Sequence, residues 1–121
     1  MGAYLLMTRK GQKTGCFATA AAQIAVRRGA GGALSLPEVT GEPAKALLEI
    51  YDIDVESVSP LGEAGGQALL RVILQGAEDL PDELPDQRNR SERLIWVNPA
   101  QLEKALAGTP ALLQAVQAAL A

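Results

Sequence analysis

Five cations, Arg9, Lys10, Lys13, Arg27 and Arg28, precede the first acidic residue of this chain, Glu38. From Glu38 to Asp86 the balance reverses, with twelve acids against Lys45 and Arg71. Such a split can place a basic patch beside a phosphate-bearing ligand; the alternative is two solvated faces of opposite sign. There is no histidine, which rules out imidazole acid–base catalysis and imidazole-dependent zinc sites. The single cysteine, Cys16, cannot close an internal disulfide. With no histidine to serve as its base, it reads as a buried structural thiol.

Two glycine-bearing stretches invite comparison with phosphate-binding loops. Gly11-Gln12-Lys13-Thr14-Gly15 is followed by Cys16, so the order Gly, four residues, Gly-Lys-Ser/Thr fails and a hairpin turn is the plainer reading. Gly29-Ala30-Gly31-Gly32 lacks the helix start and downstream ribose-binding acid of a dinucleotide fingerprint. It reads as a forced turn.

The elements that must position any site follow from periodicity. Ala3–Met7 reads as a strand, as does Gln23–Arg28, and Ala33–Leu36 is a short extended piece before Pro37. Pro43–Tyr51 is the first clear helix. Pro43 suits its first turn, and Ala44, Leu47, Leu48 and Tyr51 recur at i, i+3, i+4, i+7. That pattern predicts Leu47 and Leu48 inside, with Lys45 and Glu49 toward solvent or a cleft. Asp54–Ser59 and Gln67–Gln75 read as strands, Glu78–Arg90 as a polar loop, and Arg93–Val97 as a further strand. Two helices close the chain. Asn98 caps the first, with Pro99 next, Gln101 completing a capping box and Gly108 ending it. Thr109 caps the second, which carries Leu112, Leu113, Val116, Ala119 and Leu120 on one side. Strands interleaved with few helices predict an α+β class.

The chain of 121 residues fits one domain, 1–121. Hydrophobic residues at 48% support a real core, but aromatics at 3% mean that aliphatic side chains must fill it. The net charge of −3 and the scarcity of aromatics argue against sequence-specific nucleic-acid binding. No apolar run reaches the length of a membrane span, and no basic region precedes the first apolar stretch. The expected location is therefore the cytoplasm, with no membrane partner.

The stretch from Gln23 to Gly62 carries the most information. Ile24–Arg28 is a strand ending in basic residues. Leu34-Ser35-Leu36-Pro37, then Gly41-Glu42, then the helix and Asp52-Ile53 follow in order. Further on, Glu92–Leu102 runs from an acid through a Trp-Val strand into a helix. This order resembles the Nudix (MutT-like) hydrolase superfamily and covers nearly the whole chain. The resemblance implies a Nudix-like α/β/α sandwich with a mixed sheet.

The family box is Gly, five residues, Glu, seven residues, then Arg-Glu-U-x-Glu-Glu-x-Gly-U, with U aliphatic. Its carboxylates, one turn apart, hold Mg²⁺ against a diphosphate and activate water. Aligned on Asp52-Ile53, this chain puts Lys45 at the arginine, Ala46, Glu49 and Ile50 at the three glutamates, and Pro37 at the upstream one. One helix carboxylate of three survives. The resemblance then implies Glu49 and Glu92 as catalytic candidates, Glu38, Glu42 and Glu49 as candidate Mg²⁺ ligands, and Arg27 and Arg28 as contacts to a nucleotide-derived ligand. It also implies a homodimer. The expected function is a degenerate, catalytically impaired Nudix domain that binds a nucleotide ligand or a protein. The alternatives are an atypical active hydrolase of a substituted nucleoside diphosphate, and an unrelated α+β interaction domain.

Overall fold

Successive side chains of a strand point to opposite faces of its sheet, and the first strand, β1 (Gly2–Arg9), divides its apolar residues accordingly. Leu5 and Met7 enter one core cluster, while Leu6 enters another. The second strand, β2 (Gln23–Arg28), does the same, giving Ala25 to the first cluster and Ile24 and Val26 to the second. A sheet buried on both faces needs covering elements on both. The helix α1 (Pro43–Tyr51) packs Leu47, Ile50 and Tyr51 into the first cluster. On the other face, α2 (Pro99–Ala105) and the segment just after it contribute Leu102 and Leu106, and α3 (Pro110–Leu120) contributes Leu112 and Val116.

The structure is a computed structural model that describes residues 2–9, 23–29, 31–76, 79–89 and 91–120. The remaining strands are β3 (Leu34–Ser35), β4 (Glu38–Thr40), β5 (Val55–Ala64), β6 (Gln67–Leu74), β7 (Glu83–Pro85) and β8 (Arg93–Val97). They lie in the order β5-β6-β1-β2-β8-β7, with β3 added to β2 and β4 to β1. The β1–β6 pair is parallel and the other described pairs are antiparallel. The chain is therefore an α+β protein with a mixed sheet between α1 and the α2–α3 pair. No helix among the described residues is long and apolar enough to cross a membrane.

Several elements match their sequence signals. α1 starts at Pro43 and stops at Asp52, whose left-handed conformation (φ 58°) lets its N–H donate back to the Leu48 carbonyl at 3.1 Å. At α2, the Asn98 side chain accepts from the Gln101 N–H at 2.8 Å. The Gln101 side chain in turn accepts from the Asn98 N–H at 3.0 Å, closing the capping box.

Three expectations are corrected, and one strand is new. Leu48 is 48% exposed, whereas Ile50 is 7% exposed. Each residue advances about 100° around a helix, so Leu47, Ile50 and Tyr51 make the inward stripe and Leu48 falls on its flank. Glu38–Thr40 forms a strand because its backbone completes the free edge of β1. The polar stretch 78–90 contains β7, which pairs with β8 through Leu84, a core residue. The strand after α1 runs on to Ala64, with register shifts at Val55/Ser57 and Pro60/Gly62. The Lys10–Gly15 turn and the Cys16 assignment lie outside the described residues.

Candidate functional site

On the α1 side of the sheet a cleft of about 750 Å³ is bordered by β2, the β4–α1 connection and the segment after β7. Three cations from three separate elements line it: Arg27 of β2, Lys45 of α1 and Arg88. Glu38, Glu42 and Glu49 line it too.

Arg27 faces this side because β2 alternates, and its neighbour Arg28 must then face the other. Arg28 is exposed and takes no part in the cleft. Arg27 is gripped by Glu92, with Nε donating to Oε2 at 3.1 Å and Nη2 paired with Oε1. This two-point geometry fixes the plane of the guanidinium. The Glu92 carboxylate holds the Arg27 guanidinium above its ordinary range, against the opposing effect of burial. Glu92 is thus the anchor of Arg27, and it is absent from the cleft wall.

Arg88 is placed by a short, internally bonded loop. Asp86, only 8% exposed, accepts at Oδ1 from the N–H groups of Arg88 at 2.7 Å and Asn89 at 3.1 Å. Its own N–H donates to the Glu92 carbonyl at 3.1 Å. The Gln87 N–H donates to the Ile50 carbonyl at 2.8 Å, tying the loop to the last turn of α1. An aspartate that accepts from backbone two and three residues ahead is an Asx-type turn, which sets chain direction without regular structure. Asp86→Ala should free Arg88 from the cleft. Anion affinity, read by calorimetry with inorganic pyrophosphate, should fall about tenfold, and Arg88→Ala should match it. Full retention of affinity in both variants would remove Arg88 from the site.

Glu38 is the acid that strand register redirects. It stands opposite Tyr4, and directly paired residues share a face. Tyr4 packs with the α2–α3 cluster, so the Glu38 side chain leans to that side while Glu49 projects from α1 on the other. Among the described residues no group of three acids, histidines or cysteines stands close enough to hold a metal ion. Glu38, Glu42 and Glu49 all line the cleft. Of the two helix positions where the resemblance would put further glutamates, Ile50 is core and Ala46 packs against that core.

Tyr51, at the end of α1, is buried. Burial, with the nearby Asp86 carboxylate adding to it, pushes its phenol up to about 12 from 10.0. It stays neutral through ordinary conditions and offers no base. A folded-state value above the unfolded one means stability that is intact below pH 10 and is lost as pH rises toward 12. Chemical denaturation across that window should show stability falling with pH, and Tyr51→Phe should flatten the slope.

Arg9, counted with the basic segment, belongs to the interior. It donates to the Gln23 side chain, the Leu80 carbonyl and Asp82, and lies 4.6 Å from the centre of the Trp96 ring. Arg9, Arg27 and Arg28 therefore do not form one patch. Arg88, which sequence reasoning passed over, takes their place. Its signal was Pro85-Asp86 followed by Asn89, a turn signature inside a stretch read only as polar. Scanned against protein-family models and curated proteins, the chain matches none.

Proposed function

We propose that the α1-side cleft binds a small anionic, nucleotide-derived ligand without hydrolysing it, in a Nudix-like α/β/α sandwich whose catalytic carboxylates have been replaced. The observation that carries this reading is the meeting of Arg27, Lys45 and Arg88 in one cleft; among the described residues no acids gather into a metal-holding group. Planar guanidinium groups suit phosphate oxygens. Glu42 and Glu49 on the same wall suit hydroxyl donors, such as those of a sugar, better than a bare inorganic anion.

The test is a panel of nucleoside diphosphate derivatives with Mg²⁺ or Mn²⁺, read by both thermal shift and phosphate release. A thermal shift without turnover is expected. No shift with any member would sink the binding reading. Metal-dependent turnover lost in Glu49→Gln would establish the alternative, an active hydrolase.

The reading also carries a homodimer, since a chain of 12.6 kDa buries a limited share of its own surface. Sedimentation at micromolar concentration should show a species of twice the chain mass. A single monomer peak would remove the dimer.

A further inference from the structure

We infer that a second cavity, on the α2–α3 side of the sheet, is a site for a small organic amine with an apolar body, held as its ammonium. The site does not depend on the ligand of the α1-side cleft and needs no passage between the two cavities.

This cavity measures about 300 Å³, at the lower end of the roughly 300–1,000 Å³ usual for small-molecule sites. Tyr4 and Leu34, both partly buried, and Leu36, Leu106 and Leu112, all core residues, line it. Aliphatic walls of this kind hold an apolar group by burial and dispersion. Glu38 lines the same cavity and brings it a negative charge. It stands opposite Tyr4 in the β1–β4 pair, which puts both side chains on this face. Arg27 also borders the cavity, but its guanidinium is turned to Glu92. Arg28 faces this side of the sheet without lining the cavity. None of the ion pairs among the described residues includes Glu38.

A second acceptor lies beside this carboxylate. Gln67 alternates to the same face as Leu69, a residue of the α2–α3 cluster. Its side-chain Oε1 is buried and has no hydrogen-bond partner among the described residues. Gln67 Oε1 and Glu38 Oε1 lie 2.7 Å and 2.8 Å from the point where a Gly2 side chain would begin. Glycine at position 2 thus leaves the room in which two acceptor oxygens face each other. A buried acceptor without a donor is costly, and a carboxylate can only accept. What both oxygens lack is a donor. An ammonium group supplies three donors and no acceptor, and its charge complements Glu38. The face of the Tyr4 ring adds a favourable surface for a cation. The ammonium therefore sits at the Glu38–Gln67 end, and its apolar body lies against the leucines.

The experiment is calorimetric titration of the full chain with phenethylamine at neutral pH, where it is an ammonium. The comparison ligands are 2-phenylethanol, which keeps the ring and loses the charge, and methylamine, which keeps the charge and loses the ring. Phenethylamine should bind at least about tenfold more tightly than either. Glu38→Gln, at an exposed position, should lower its affinity about tenfold, to the level of the alcohol. Gln67→Leu should lower it about threefold. Ala105→Phe places a ring in the cavity, which Ala105 lines, and should weaken phenethylamine and phenylethanol alike. Circular dichroism identifies the variants that fold, and any one of them decides the matter. Amine and alcohol of equal affinity, amine affinity unchanged in a folded variant, or no binding of phenethylamine at millimolar concentration would each overturn the amine site. Binding of pyrophosphate to the α1-side cleft, measured separately, is untouched by any of these results.

Discussion

Leu47→Ala should lower the free energy of unfolding by about 2–5 kcal/mol, the range for deleting a buried leucine without collapse of the space it leaves. Leu47 is fully buried at the centre of the α1 stripe. Its neighbours there, Ile50, Tyr51, Leu5 and Met7, belong to the helix and to a strand inside the sheet. Neither element can move inward without breaking backbone pairing, so most of the void should persist. Leu48→Ala is the control. Half of that side chain is already in water, and its loss should cost no more than about 0.5 kcal/mol. Urea denaturation measures both through the shift in midpoint at constant slope. Equal effects at the two positions would mean that the facing of α1 is wrong.

Turnover of nucleoside diphosphate derivatives should be far below about 1 s⁻¹, the low end of ordinary enzymes, with Mg²⁺ or Mn²⁺ present. Diphosphate hydrolysis needs carboxylates close enough to hold an ion that polarises phosphate and activates water. Here Glu49 projects from α1, Glu38 leans to the opposite face beside Tyr4, and Glu92 is engaged with Arg27. Ile50, where the resemblance to the Nudix superfamily would put a carboxylate, fills a core position. Each 1.36 kcal/mol of lost transition-state stabilisation slows a reaction about tenfold, and an unheld ion forfeits several such steps. Phosphate release under substrate excess gives the rate directly. A rate near 1 s⁻¹ that disappears in Glu49→Gln would show that the acids converge when substrate binds.

The elements with local causes were legible in the sequence. The capping box depends on two residues three apart, Asn98 and Gln101, and the structure forms it. The span of α1 follows from Pro43 at one end and the apolar period within. The strand over Gln23–Arg28 follows from its β-branched Ile24 and Val26, and the structure forms it. The absence of histidine removed whole classes of chemistry from composition alone.

What depends on pairing between distant segments was not legible. β4 exists because β1 has an edge to satisfy, and β7 because β8 does. Neither segment carries a strand signal of its own strength. The facing of Glu38 was hidden for the same reason. A shift of one residue in register moves a side chain to the other face of a sheet, so only the pairing with Tyr4 decides which cavity it serves. Arg27 and Arg28 are adjacent in sequence and equal in charge, yet alternation sends one into the cleft and the other away from it. Arg88 enters the cleft because Asp86 turns the chain and Ile50 anchors it. By itself the sequence determined the locally encoded elements, their order and the chemistry available. Tertiary structure decided which charges meet, because meeting is a matter of register and loop closure rather than of residue type.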